Sequence, residues 1–379
     1  MKGGLMDTDI IRLYVINTGG TLGMVPQDPN DPESPLRPAK TGKELFRYIR
    51  RPQGVNLKIT LEEFGLRDSN DYQHRDVVEL CKMIAQAFKD GSHAVMVIYG
   101  SDALEEACAD VEMTFQNSLP GPVFFEASKD PIVKPGTDAI TNLESALVAI
   151  VDFVTRGFVG VYNACDHKVW DGRRICKVNS GYNMFDTPGM PKIADVGSGV
   201  DLMGNPRLKV DTATLETMTI DCVYESDVMT LKVSANTPPW ALTNLVQGKP
   251  KPKGVILIGK GQGNISGRKW IDKDVGSWID AVRLATDQGV HVGVISPFQD
   301  GKQNALLYDL GKKARNAGAI DLNRNTYPMA EIKFRKAIAK CQTLPFADQR
   351  KFIQEYVSSD HVGEIPEGEK YKAPYPVAI

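Results

Sequence analysis

This chain is poor in the residues that cross-link proteins or hold metals. Six cysteines (Cys81, Cys108, Cys165, Cys176, Cys222 and Cys341) are scattered through 379 residues without CxxC spacing. That scatter argues against a disulfide framework or zinc ribbon and fits reduced thiols in a cytoplasmic protein. The five histidines (His74, His93, His167, His291 and His361) are equally dispersed, with no HExxH pattern, so no metal site is expected. No apolar run approaches the length of a membrane span. Near the amino terminus, Asp7 and Asp9 interrupt the stretch where a signal-peptide core would run. An excess of one charge is also missing. Lys and Arg total 45 against 47 Asp and Glu, a formal net charge of -2, which gives no support to nucleic-acid binding. Phosphate-binding loops are absent too. After a predicted strand come Gly259, Gly261 and Gly263, but Asn264 stands where GxGxxG needs its third glycine, so no nucleotide cofactor is expected.

What is present is an ordinary globular composition, 42% hydrophobic and 24% charged. It excludes global disorder, and the length suggests two domains. Short apolar runs alternate with helical patterns. Strands are expected at 11–17, 57–64, 94–99, 123–125 and 158–162, and helices at 75–89, 103–115 and 143–155. This βαβα order predicts a mostly parallel sheet with helices on both faces. Residues 168–178 alternate polar and apolar around Asp171-Gly172 and read as a hairpin with a DG turn. Pro238, Pro239, Pro250 and Pro252 mark 234–254 as an interdomain connection. Beyond it the pattern predicts strands at 255–258 and 290–295 and helices at 270–288, 303–317, 329–341 and 347–357. The expected organisation is a catalytic α/β domain over 1–233, a linker over 234–254 and a smaller α/β domain over 255–379. The tail after Val362 should drape loosely over the surface.

Four segments carry candidate chemistry, each at the carboxyl end of a predicted strand or on a nearby hairpin. In open α/β sheets that edge binds ligands. Thr18-Gly19-Gly20-Thr21 follows the first strand; paired glycines admit a ligand close to the backbone, and Thr21 offers a nucleophilic hydroxyl. Gly100-Ser101-Asp102 precedes a helix opening with Glu105-Glu106. Ser101 and Asp102 serve either as helix caps or as a hydroxyl–carboxylate pair, and the glutamates suit the helix dipole. Lys177 lies among apolar neighbours and either snorkels to solvent or meets Asp102 as a paired amine. Asp68-Ser69-Asn70-Asp71 is an Asx-type loop whose side chains could hold a small polar ligand.

In this order and spacing, the segments resemble the asparaginase/glutaminase family of amidohydrolases, in the form of its cytoplasmic type I branch. Thr18–Thr21 with Leu22-Gly23-Met24 is similar to the family's first signature, and Tyr99-Gly100-Ser101-Asp102-Ala103-Leu104-Glu105-Glu106 to its second. Asp171-Gly172-Arg173 with Lys177 and Asn179 resembles the segment bearing the family's catalytic lysine, and Thr137-Asp138-Ala139, Asn142-Leu143 and Phe185–Pro188 add support. The resemblance implies hydrolysis of the side-chain amide of L-asparagine to L-aspartate and ammonia. Thr21 would be the nucleophile, and Ser101, Asp102 and Lys177 a second hydroxyl–carboxylate–amine group. Ser69 and Asn70 would hold the substrate α-carboxylate, Asp102 its α-ammonium, and Gly20 would line the pocket. Asn264 would reach a neighbouring subunit's site, which implies a homodimer or homotetramer with shared active sites. The implied partner is a small amino-acid substrate, with no cofactor.

The chain departs from the family pattern at three kinds of position. Ser101 replaces the usual threonine and keeps the hydroxyl; Tyr99 replaces a histidine and Ala103 a threonine. The segment 22–47 contains no tyrosine, although the family's loop commonly supplies one to activate the nucleophile. That segment, rich in Pro and Asp, is expected to act as a lid. The alternative class is a divergent protein that binds or senses an amino acid with weak or altered turnover. An enzyme component supplying ammonia for tRNA-linked amidation is disfavoured, because such relatives carry a domain ahead of the first signature.

Overall fold

The computed structural model describes residues 10–31, 33–66, 68–209, 217–270, 276–300 and 305–366. The chain divides into two compact units, Met1–Cys222 and Val223–Ile379.

The first unit carries strands β1 (Ile10–Asn17), β2 (Met24–Pro26), β3 (Leu36–Pro38), β4 (Asn56–Glu63), β5 (Ala94–Ile98), β6 (Pro122–Glu126), β7 (Phe158–Cys165), β8 (Lys168–Asp171), β9 (Cys176–Lys177), β10 (Phe185–Asp186), β11 (Ala194–Val196), β12 (Val200–Leu202) and β13 (Arg207–Leu208). Its helices are α1 (Gly42–Phe46), α2 (His74–Lys89), α3 (Leu104–Phe115) and α4 (Asp138–Arg156). The main sheet runs β12-β11-β8-β7-β6-β5-β1-β4, with β13 also on β7. From β4 to β7 every pair is parallel. The β8, β11 and β12 edge is antiparallel.

Burial on both faces explains why β5 reads as an unbroken apolar run, AVMVI. Ala94, Met96 and Ile98 join one core with α4, while Val95 and Val97 join another with α2 and α3. The α4 stripe of Leu143, Ala146, Leu147, Ile150 and Phe153 is fully buried. Each large side chain there contributes roughly 1.5–3 kcal/mol. The ends of α4 are set by Thr137, whose side chain accepts the Ala139 N–H, and by Gly157 at φ 72°, a left-handed stop.

The second unit contains β14 (Val228–Lys232), β15 (Gly254–Ile258), β16 (His291–Ile295) and β17 (Ile320–Asp321), all parallel in that order. Helices α5 (Trp240–Gln247), α6 (Trp278–Asp287), α7 (Asp309–Asn316), α8 (Tyr327–Cys341) and α9 (Phe346–Ser358) accompany them.

Several expectations change here. No hairpin turns at Asp171-Gly172. The β7–β8 turn lies at Asp166-His167, both at positive φ. The Asp171 carboxylate is instead buried and taken by the Arg173 guanidinium, so Asp171 shapes the chain through its side chain. Residues 234–254 contain α5, whose N-terminus follows Pro238-Pro239, and β14 already belongs to the second sheet. Proline is compatible with the start of a helix, so these two prolines open a helix. The 270–288 helix begins at Trp278, capped by Ser277 and Asp280; residues 271–275 lie outside the described residues. The 303–317 helix shortens to α7. Up to residue 366 the tail is no loose drape, because Val362, Glu364 and Ile365 are buried. The Glu364 carboxylate takes the N–H groups of His361 and Val362 and lies 2.6 Å from Lys333 Nζ. The tail from 367 onward lies outside the described residues.

The segment expected as a lid forms the β2–β3 hairpin, closed by Gln27 N–H donating to Pro35 O at 2.9 Å. Its base is anchored, since Leu22, Val25 and Ala39 lie in the core.

Candidate active site

The first strand delivers its last residue, Asn17, fully buried at the sheet edge. Asn17 Nδ2 donates to Ala39 O at 2.7 Å and its Oδ1 accepts the Gly19 N–H at 3.1 Å. Thr18 donates through Oγ1 to Ile98 O at 2.8 Å, which fastens the loop to the end of β5. Gly19 and Gly20 then take φ of 105° and 77°, conformations that favour glycine.

Close backbone approach gives Gly20 a second reason to be glycine. A Cβ there would lie 2.9 Å from Gly100 N and from Tyr99 O. A Cβ on Gly100 would in turn lie 2.2 Å from Ser69 Oγ. The loops after β1, β4 and β5 therefore touch through atoms that leave no room for a methyl group. Thr21 opens the short turn Thr21–Gly23 and is half-buried. Among the described residues its hydroxyl has no hydrogen-bond partner.

Asp68 caps the turn Ser69–Asp71 by accepting the Asn70 N–H at 2.9 Å. Ser69 is buried against Gly100. The Asn70 side-chain amide donates to Asp68 Oδ1 at 2.8 Å and to Asp102 Oδ2 at 3.3 Å. Ser101 and Asp102 lie on the loop between β5 and α3. Lys177 Nζ donates to Ser101 Oγ at 2.9 Å and to Asp102 Oδ1 at 2.5 Å. The Lys177 ammonium, helped by the Asn70 amide, holds the Asp102 carboxyl below the usual carboxylate range, with burial a weaker opposing effect. Asp102 stays 53% exposed, so solvent and a ligand can both reach it.

The structure thus brings Gly20, Ser69, Asn70, Ser101, Asp102 and Lys177 into one connected cluster on the first unit. Asn264 belongs to the second unit, just past β15, in a turn closed by Lys260 N–H donating to Asn264 O at 2.8 Å. Its Oδ1 is buried and has no hydrogen-bond partner among the described residues. Tyr99 fills the usual histidine position as a core residue, its ring 5.3 Å from Tyr72 and 5.7 Å from Phe125.

Sequence reading missed two contributors. The Tyr72 hydroxyl lies 2.7 Å from the carbonyl oxygens of both Thr18 and Phe64, and its single proton serves one at a time. It ties the Ser69–Asn70 segment to the Thr18–Thr21 loop. The Glu105 carboxylate accepts the backbone N–H of Lys177. No spacing in the sequence signals either contact, since each joins distant segments.

Behind the site, Glu126 at the end of β6 is fully buried. Its Oε1 accepts the Ala164 N–H at 2.9 Å, and Oε2 has no partner among the described residues. Burial pushes this carboxyl well above its ordinary range, opposed weakly by the Ala164 N–H. A carboxyl raised in the folded state adds stability that is complete below its unfolded pKa and is lost as pH rises through the folded pKa. Glu126→Gln, which mimics the neutral acid, should therefore flatten the fall in melting temperature as pH rises above the ordinary carboxylate range. An unchanged pH dependence would remove Glu126 as its source.

Among the described residues no group of three or more histidine, cysteine or acidic side chains could hold a metal ion. No described helix is long and apolar enough to cross a membrane.

Known proteins resemble this chain in sequence and in fold. The family described as "Asparaginase, N-terminal" matches residues 12–208, more than half of the chain and the span that holds the cluster. The chain belongs to the asparaginase family. It is similar to the L-asparaginase of Thermococcus kodakarensis, with 25% identity over 93% of this chain and 100% of that protein. It is also similar to a component of the glutamyl-tRNA(Gln) amidotransferase of Pyrobaculum aerophilum, with 24% identity over 76% of this chain and 66% of that protein. The solved structure of the thermostable L-asparaginase from Thermococcus kodakarensis shares the fold at a TM-score of 0.79, with 24% identity over 94% of this chain and 99% of that one. This asparaginase-family chain is accordingly an amidohydrolase enzyme. Its α/β fold, a large mostly parallel sheet followed by a smaller parallel sheet, is that of the solved relative.

Proposed function

We propose that this enzyme hydrolyses the side-chain amide of L-asparagine to L-aspartate and ammonia through an acyl-enzyme on Thr21. The observations that carry the reading are a lysine-bridged hydroxyl and carboxylate on the loop after β5 and the close backbone approach of that loop, at Gly100, to Gly20, the residue before the Thr21 hydroxyl, which has no hydrogen-bond partner among the described residues.

In this scheme Thr21 Oγ attacks the amide carbon and its proton passes to a nearby base. The C–N bond breaks and the nitrogen leaves as ammonia after gaining a proton. Water then cleaves the ester and restores the hydroxyl. Ser101, Lys177 and Asp102 form the group that moves protons in these steps. Backbone N–H groups beside Thr21 and Ser101 stabilise the oxyanion. Ser69 and Asn70 hold the α-carboxylate and Asp102 the α-ammonium, while Gly20 leaves the substrate room against the backbone. Asn264 completes the site of a neighbouring subunit in a cytoplasmic homodimer or homotetramer.

A second reading, amino-acid binding with little turnover, is favoured by one observation: the Thr21 hydroxyl has no activating partner among the described residues. Ammonia release separates the two. The enzyme reading expects steady ammonia production from L-asparagine, measured beside L-glutamine as the competitor. Saturable binding by calorimetry with no ammonia from either amide would favour the binder.

A further inference from the structure

Lys177 lies on the two-residue strand β9, which pairs with β10 in a ribbon separate from the main sheet. The parallel ladder that fixes the loop after β5 therefore does not fix Lys177. Within the ribbon the next amide, that of Val178, donates to Met184 O at 2.8 Å. The Lys177 amide points elsewhere and donates to the Glu105 carboxylate. Glu105 sits in the first turn of α3, and the loop just before that helix carries Ser101 and Asp102. One short stretch, 101–105, thus grips Lys177 at both ends: the amide by Glu105, the ammonium by Ser101 and Asp102.

The adjacent Glu106 shows what a first-turn glutamate ordinarily does. It is exposed, where the helix dipole favours it by a few tenths of a kcal/mol. Glu105 is half-buried instead, and burial pushes its carboxyl above the usual range, with the Lys177 amide and ammonium pulling back. Burying a carboxyl is costly unless it makes a specific hydrogen bond. Among the described residues, the bond Glu105 makes is to the backbone of the lysine.

We propose that Glu105 is a positioning residue that fixes the Lys177 backbone so that its ammonium meets Ser101 and Asp102. The role rests on the amidohydrolase reading of the site given above. A lysine side chain is long and flexible, so freeing its backbone spreads the Nζ position. A displacement of about 1 Å at a reacting group costs on the order of 10²-fold in rate. The groups assigned to the substrate α-carboxylate, Ser69 and Asn70, are held by the loop after β4, and Asp102, assigned to the α-ammonium, keeps the Asn70 amide as a second partner, so substrate affinity should change little.

The test compares Glu105→Ala and Glu105→Gln with the wild-type chain, each checked for cooperative unfolding. It reads kcat and KM for ammonia release, together with the rate at which trinitrobenzenesulfonate labels Lys177, located by peptide mass spectrometry. Glu105→Ala should lower kcat by roughly 10–100-fold with KM within about threefold, and Lys177 should label several-fold faster. Glu105→Gln keeps a carbonyl to accept the Lys177 N–H, so it should recover most of kcat and protect Lys177. Where alanine does not fold, Glu105→Met, similar in shape and without an acceptor, takes its place. Wild-type kcat and labelling in the alanine or methionine variant would overturn the proposal even if the melting temperature falls. A glutamine variant as impaired as alanine would overturn it too. If the wild-type chain releases no ammonia from any amide, the functional reading fails while the labelling comparison still decides this one.

Discussion

Thr21→Ala should lower kcat for asparagine hydrolysis by about 10³-fold or more, with the fold intact and KM little changed. A factor of 10³ corresponds to about 4 kcal/mol of lost transition-state stabilisation. The size of the effect follows from the role: without the Thr21 oxygen no acyl-enzyme forms, and the remaining groups can only assist direct attack by water. The fold should tolerate the change for a structural reason. The loop conformation is set by Asn17, Thr18 and the two glycines, while the Thr21 hydroxyl makes no hydrogen bond among the described residues. Melting temperature should therefore stay within a few degrees of wild type. Ammonia release with circular dichroism on the same samples reads both quantities. A Thr21→Ala variant that retains most of its turnover would remove threonine as nucleophile and leave Ser101 as the next hydroxyl to examine.

Lys177→Met should lower kcat by roughly 10²–10⁴-fold, the range of a positioned proton-transfer group. Methionine keeps the apolar stem between its neighbours and removes the ammonium that bridges Ser101 and Asp102. Stability should change little, because Asp102 is 53% exposed and pairs of that kind contribute about 0–1 kcal/mol. The electrostatic readout is more specific. Since the Lys177 hydrogen bond is the main cause of the low Asp102 pKa, the carboxyl should titrate at higher pH in Lys177→Met, with the Asn70 amide leaving part of the depression. Carbon-13 NMR of the aspartate carboxyl groups follows this directly. A variant in which Asp102 does not move would contradict the geometry of the pair. A variant that keeps wild-type turnover would remove Lys177 from catalysis.

Much of the sheet is legible because its central strands are buried on both faces. The run Ala94–Ile98 is apolar at every position, and that is the physical signature of a strand covered by helices on each side. Edge strands leave no such trace. In β14, Met229, Thr230 and Lys232 are exposed, so its sequence reads like connecting chain although it pairs in register with β15. Asp171-Gly172 misleads for another reason. The dipeptide suits a hairpin turn, but here the Asp171 side chain serves the Arg173 guanidinium and the turn falls at Asp166-His167. Prolines mislead in the same way, since Pro238 and Pro239 open α5.

The candidate site divides along the same line. Thr18–Thr21 and Gly100–Asp102 are legible through their order and spacing together, since each alone reads equally as a glycine turn or a helix cap. Lys177 is legible through the family pattern alone, and its meeting with Asp102 across distant sequence is a product of the fold. Tyr72 carries no local signal, and Glu105, although it falls within the second signature, reads there as a first-turn acid suited to the helix dipole and not as a partner of Lys177. Each acts through a hydrogen bond to backbone, which any residue presents and no motif records.

The central claim is a covalent intermediate on Thr21. Acid-quenching the enzyme within milliseconds of mixing with L-asparagine, followed by peptide mass spectrometry, tests it most directly. The account predicts an aspartyl group in ester linkage on the peptide containing Thr21, absent from Thr21→Ala. An acyl group found on Ser101 instead, or steady ammonia release with no acylated peptide at any quench time, would contradict it.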